Sequence, residues 1–253
     1  MQRPYERQRD KLSNHPRYRK VERDLKLFDS LKDEWWNPEG PLVGLHRMNP
    51  VRSGYFLNVL TQHQCRKVLE LGCGGGILSS ALEVEGIELY ALDRLPSALQ
   101  AARPHLTKTH LICSKAENLP FSSGVFDAVV SSDFLEHVED LNQVITESSR
   151  VLKNGGLFLY DTINKTLKSL LILKFIGEYI CGFIPKGTHQ FKKLVPLLGL
   201  RELMKDHGIQ NVETYGLVPN MSVWRGWLHR DEVQFKLSKE DVSMLYIGYG
   251  VKA

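Results

Sequence analysis

Two groups of residues have the types and spacing to do chemistry. The first is Val68-Leu69-Glu70-Leu71-Gly72-Cys73-Gly74-Gly75-Gly76, followed at a distance by Asp93. An apolar run here delivers the chain to a loop that must turn sharply. Glycine permits positive φ at such a turn and lets backbone approach a ligand closely. In open α/β sheets such ligands bind beyond the carboxyl ends of the strands. Asp93 ends the next apolar run, where a carboxylate can accept hydrogen bonds from two vicinal ribose hydroxyls. The second group is Ser131-Ser132-Asp133 with Glu136 and His137. Its carboxylates and imidazole could take a proton or hold a cation. In a helix, positions i, i+3 and i+4 would share one face.

These residues need strands to carry them, and the pattern supplies them. Lys67–Leu71, Glu88–Leu92, Leu111–Cys113, Phe126–Ser131 and Leu157–Asp161 read as strands. Between them, Ile77–Glu85, Pro96–Arg103 and Leu141–Leu152 read as helices, the last stopped by Asn154-Gly155-Gly156. Such alternation implies an α/β fold with a doubly wound, mostly parallel sheet. A helix near Leu197–His207 and strands near Val212–Leu217 and Met244–Val251 would complete it. Upstream, residues 25–48 start helical and turn irregular at Asn37-Pro38-Glu39-Gly40-Pro41. Asn49 is expected to cap a short helix that has Pro50 in its first turn and runs to about Leu60.

The loop spacing selects a ligand. Counting from Gly72, the sixth position is Ile77, so the GxGxxG pattern of dehydrogenases fails and GxGxG stands. S-adenosylmethionine carries a free amine and a sulfonium and has no pyrophosphate to seat on a helix N-terminus. Glu70 ahead of the loop suits that donor better than a dinucleotide. The expected cofactor-binding residues are Glu70, Gly72, Gly74 and Asp93.

The chain resembles the class I methyltransferases, and more closely the ubiquinone-biosynthesis O-methyltransferases. Phe28-Asp29, Trp35-Trp36-Asn37-Pro38-Glu39-Gly40 and Leu45-His46-Arg47-Met48-Asn49-Pro50-Val51-Arg52 carry the closer resemblance. It continues through Leu135-Glu136-His137-Val138 and Thr162-Ile163-Asn164 to Pro185-Lys186-Gly187-Thr188-His189. It implies a Rossmann-like fold with a seven-stranded sheet, an N-terminal helical cap (25–62) and a helical lid insertion (165–195). It also implies that Arg52 and Ser132 line the donor site and that Ala116 and Glu117 lie against adenine. A guanidinium at Arg52 could pair with the donor's methionine carboxylate. The implied acceptor is a prenylated phenol or quinol. Its hydroxyl, with a free pKa near 10, calls for a general base or a divalent cation such as Mg2+ or Zn2+. Glu136 and His137 are the expected catalytic residues, and Asp133, Glu136 and His137 the expected metal ligands. The family has a glutamate where Asp133 stands, and the carboxyl-terminal third departs further, with Val195-Pro196-Leu197-Leu198 in place of its usual helix start.

Leu167–Ile184 has an apolar face with Lys174 and Glu178 opposite it. It is too short and too charged to span a membrane with assurance. It reads as an interfacial amphipathic helix, or as a lid packed on the sheet. A cytoplasmic enzyme peripherally attached to a membrane surface follows, with a biosynthetic complex as a further partner. The formal net charge is +4, and Arg3, Arg7, Arg9, Lys11, Arg17, Arg19 and Lys20 crowd the first twenty residues. The remainder is near neutral, so no nucleic-acid partner is expected. Residues 1–24 are expected to be a basic, disordered tail. Cys65, Cys73, Cys113 and Cys181 have no CxxC spacing, which argues against a zinc cluster and a disulfide framework. Two other readings stand beside the first: a methyltransferase for another lipid-like or protein acceptor, and a non-catalytic scaffold that binds the donor.

Overall fold

A computed structural model describes residues 16–172, 194–220 and 233–253. The helices are α1 (Pro16–Ser30), α2 (Val43–Gln62), α3 (Ile77–Leu82), α4 (Pro96–Ala102), α5 (Leu141–Val151), α6 (Leu167–Ile172) and α7 (Leu197–Asp206). The strands are β1 (Lys67–Leu71), β2 (Glu88–Asp93), β3 (His110–Cys113), β4 (Phe126–Ser132), β5 (Leu152–Ile163), β6 (Ile209–Pro219), β7 (Phe235–Ser238) and β8 (Leu245–Lys252). They form one sheet in the order β3-β2-β1-β4-β5-β8-β6-β7. The first five strands are parallel, and β8, β6 and β7 join antiparallel.

Alternation along each central strand sends side chains to two cores, as a pleat with helices on both faces requires. Leu69, Leu71, Val129, Phe158 and Tyr160 face one core, with Val144 and Ile145 of α5 and Leu200 and Met204 of α7. Val68, Ala128, Val130, Leu157 and Leu159 face the other, with Tyr55, Phe56, Val59 and Leu60 of α2 and Leu78 and Leu82 of α3. The expected doubly wound, mostly parallel sheet is present.

Three expectations need correction. The sheet has eight strands, not seven. The eighth, β7, is a short edge strand whose Phe235-Lys236-Leu237-Ser238 pattern was hidden in a long polar segment. Helix α1 begins at Pro16, inside the stretch expected to be a disordered tail. Proline at the first helical position is the local signal for that start. Helix α2 starts at Val43, so Pro50 lies within it and Asn49 caps nothing. Buried Leu42, Val43 and Met48 extend the helix through tertiary packing, against the local signal. Of the expected lid (165–195), residues 165–172 and 194–195 lie among the described residues. Lys174, Glu178, Lys186, Gly187, Thr188, His189, Lys192 and Lys193 and most of 224–239 lie outside them.

A carboxylate fixes one surface connection. Glu83, just after α3, accepts hydrogen bonds from the N–H groups of Thr107 (2.9 Å) and Lys108 (3.0 Å) and from the Thr107 and Thr109 hydroxyls. Against its partial desolvation, the Thr107 and Thr109 hydrogen bonds hold the Glu83 carboxyl down at about 2. An unfolded glutamate titrates near 4.3. The stabilisation is therefore complete above about that pH and is lost as pH falls toward 2. In an acid titration of stability by urea unfolding, Glu83→Gln should flatten the slope between those values. An unchanged slope would show that these hydrogen bonds do not discriminate the charged form.

Candidate active site

The glycine loop joins β1 to α3 at the carboxyl edge of the sheet. Gly72, Gly74 and Gly76 have φ of +69°, +52° and +80°, a region that side chains make costly. The loop is pinned to β2, with Gly72 and Cys73 N–H both donating to Leu92 O at 2.7 and 3.0 Å. Asp93 sits where its sequence position indicated. Its carboxylate accepts from Gly74 N–H (2.9 Å) and Leu95 N–H (2.8 Å), joining the loop to the start of α4. Burial pushes the Asp93 pKa up, and these N–H groups oppose the rise. Glu70 lies beneath the loop. Burial raises its pKa to about 7, and the Ser79 hydroxyl donates to it at 2.5 Å.

Aromatic rings cover the loop, which sequence reasoning missed. A Cβ added to Gly72 would lie 2.1 Å from the Phe134 ring, and one at Gly74 would lie 2.3 Å from the Trp35 ring. The Trp35 ring also covers Gly75, and Phe28 stacks on it at 6.0 Å. The Trp36 indole N–H donates to Gly75 O at 2.8 Å. The Trp35-Trp36 pair thus anchors the N-terminal segment to the glycines.

Arg52 is buried at the floor of this region. Its Nη1 donates to Ser132 Oγ (3.0 Å) and its Nη2 to Asp133 Oδ2 (2.9 Å). Asp161, at the end of β5, lies 3.8 Å from Nε and accepts from the Ser132 hydroxyl at 2.5 Å. Burial works against the Arg52 charge, but Asp161 and Asp133 hold it protonated more firmly than in water. Burial raises the Asp161 pKa, with Arg52 opposing. Asp133 adopts φ +47°, a strained value for a non-glycine residue. The expected neighbours Arg52 and Ser132 are therefore together. Asp161 was missed, although a carboxylate closing Leu157-Phe158-Leu159-Tyr160 was the available signal.

Glu136 and His137 lie on a 3₁₀ turn, Leu135–His137. Glu136 is buried and accepts from the Thr162 hydroxyl at 2.9 Å, while its Oε1 has no hydrogen-bond partner. Burial raises its pKa, and His137 opposes the rise. His137 Nδ1 lies 3.4 Å from Asp24 Oδ2, and Phe28 meets the ring edge-on at 5.3 Å. Asp24 is buried and comes from the expected tail. Glu117 accepts from Glu139 N–H at 3.0 Å, and Ala116 is buried beside it. Both border the same edge of the sheet.

Asp133, Glu136 and His137 do not share a face, because Asp133 is not helical. Its carboxylate turns to Arg52, Glu136 to Thr162 and His137 to Asp24. Among the described residues no three His, Cys, Asp or Glu side chains converge to hold a metal ion. As placed, these residues do not fit a divalent cation. They do fit S-adenosylmethionine. Asp93 lies at the edge of the glycine loop, the Trp35 and Phe134 rings lie on its glycines, and Trp35 Nε1 and Asn49 Oδ1 are buried beside it without hydrogen-bond partners. Asp161, Asp133 and Glu136 surround the Arg52 guanidinium, and burial raises the pKa of Asp161 and Glu136.

Arg52→Ala would leave the buried Asp161 and the half-buried Asp133 without their cation. The loss should be about 3–5 kcal/mol in urea unfolding at neutral pH. A change below about 1 kcal/mol, the size of a surface pair, would show that the cluster does not depend on Arg52.

Comparison with known proteins agrees with this architecture. A family model for a methyltransferase domain matches residues 69–160. The ubiquinone biosynthesis O-methyltransferase of Rickettsia bellii is 30% identical over 234 residues, 89% of this chain and 93% of the relative. That of Idiomarina loihiensis is 31% identical, covering 88% and 90%. A SAM-dependent methyltransferase of Thermotoga maritima shares the fold, with a TM-score of 0.65 at 18% identity over 90% and 99% of the two chains. Given curated relatives matched at such identity almost from end to end, the chain belongs to the ubiquinone biosynthesis O-methyltransferase family and is an S-adenosylmethionine-dependent methyltransferase.

Proposed function

We propose that the chain transfers the methyl group of S-adenosylmethionine to a phenolic hydroxyl of a polyprenylated ubiquinone precursor. The observation that carries this reading is the continuity of one site. Arg52, the glycine loop, Asp93, Ser132 and His137 lie toward one edge of the sheet, in a chain whose relatives are named ubiquinone biosynthesis O-methyltransferases.

When bound, the donor supplies an activated methyl group on sulfur. Gly72, Gly74 and Asp93 would hold it, with Ala116 and Glu117 beside its base and Ser132 and Arg52 beside its amino-acid end. Arg52 meets that end with its Nη atoms on Ser132 and Asp133 and its Nε 3.8 Å from Asp161. The protein's remaining tasks are to align the acceptor oxygen with the methyl group and to take its proton. His137 fits the second task better than Glu136. It is partly accessible and steadied by Asp24, whereas Glu136 is sealed against Thr162. We assign no step to a metal, because the expected ligands are committed to other partners.

A prenylated substrate resides at a lipid surface. Leu167, at the start of α6, is 75% exposed, and Leu198, near the start of α7, is 72% exposed. Leu167 opens the segment read as amphipathic and Leu198 follows it, and these two exposed leucines support contact with a membrane surface. No helix among the described residues is long and apolar enough to cross a membrane. Peripheral attachment from the cytoplasmic side, within a biosynthetic complex, is the arrangement we propose.

Turnover of a short-chain prenyl catechol tests the reading. Wild-type protein should methylate it, EDTA should leave the rate unchanged, and His137→Asn should lower kcat by about 10²–10⁴-fold. No turnover despite donor binding would favour another acceptor or a scaffold role. Activity lost to EDTA and restored by Mg2+ would show that Asp133, Glu136 and His137 regroup around a cation.

A further inference from the structure

The two adjacent tryptophans differ in a way that packing alone does not explain. Trp36 places its indole N–H on Gly75 O at 2.8 Å and stacks its ring on His105 at 3.8 Å. Trp35 is more deeply placed, at 7% exposure, yet its Nε1 is buried with no hydrogen-bond partner. Native folds rarely leave a buried indole N–H unmade, because its lost hydration is not recovered. The position is well fixed. His46 Nε2 bonds Trp35 O at 2.8 Å, Phe28 stacks on the ring, and the ring lies across Gly74 and Gly75 at the distances of a close contact.

The unmade N–H has company. Asn49 and Arg52 lie three residues apart on α2 and so on one face of that helix. Asn49 Nδ2 donates to Ile77 O at the end of the glycine loop, which places the side chain at the cradle, yet its Oδ1 has no partner. Arg52 Nε makes no hydrogen bond but lies 3.8 Å from the Asp161 carboxylate, away from the loop. An unmade donor on Trp35 and an unmade acceptor on Asn49, two residues that contact the glycine loop, indicate a polar ligand with both kinds of group.

We propose that Trp35 is a binding residue for the methyl donor, its indole N–H kept for an oxygen of that ligand. This rests on reading the glycine loop as the donor site. The donor offers carboxylate and ribose oxygens, and a buried indole bonded to either excludes water from it. The N-terminal segment thereby becomes part of the cofactor site. Donor binding should tighten its hold on the loop.

Trp35→Phe keeps an aromatic ring on the glycines and removes the N–H. Calorimetry with S-adenosylhomocysteine should show affinity weaker by about tenfold, or 1.4 kcal/mol. The ligand-free Tm should be unchanged or raised, since the variant removes an unmet group. A lowered ligand-free Tm with unchanged affinity would make Trp35 a packing residue and overturn the proposal. Unchanged affinity with unchanged Tm would overturn it too. If wild-type protein fails to bind S-adenosylhomocysteine, the donor-site reading falls and this one with it.

Discussion

The buried guanidinium of Arg52 is the interaction on which the site depends. It lies among Asp133, Asp161 and Glu136, so one cation joins helix α2 to the ends of β4 and β5. Burying charge is costly unless it is paired and hydrogen-bonded. Here the pairing holds Asp133 in a left-handed conformation and seats Ser132 between Arg52 and Asp161. Burial raises the pKa of Asp161 and Glu136, which moderates the negative charge around the guanidinium.

The N-terminal segment contributes as much to the site as the sheet does. Trp35 and Phe28 roof the loop, Trp36 bonds to it, and Asp24 faces His137. A roof of this kind excludes water and strengthens the electrostatics beneath it. Together with Phe134 it also explains why two of the glycines are needed beyond their positive φ. At Gly72 and Gly74 a Cβ would collide with a ring before it met any ligand. The loop is therefore small both for the ligand and for the aromatics that enclose it.

Much of this was legible in the sequence because it is local. The five parallel strands showed as apolar runs, and Gly72, Asp93 and Ser132 fell at strand ends where a doubly wound sheet gathers its functional groups. Arg52 came from the resemblance and lies beside Ser132 as expected. What was not legible is non-local. No periodicity announces that Asp24 reaches His137, 113 positions away, or that Trp35 lies on Gly74. The metal triad was read with helical spacing, but Asp133 leaves the strand in a left-handed turn and spends its carboxylate on Arg52. The start of α2 was masked by Asn49-Pro50, a strong local cap signal overridden by burial of Leu42, Val43 and Met48.

The central claim is that the glycine loop, Asp93 and the Arg52 cluster form one methyl-donor site roofed by Trp35. A crystal structure of the protein with S-adenosylhomocysteine tests it most directly. The account predicts the ligand at the glycine loop beside the Trp35 ring, with Asp93 at its ribose and the Arg52–Asp133 pair intact. Ligand density elsewhere, or at the loop with Arg52 swung away from Asp133, would contradict it.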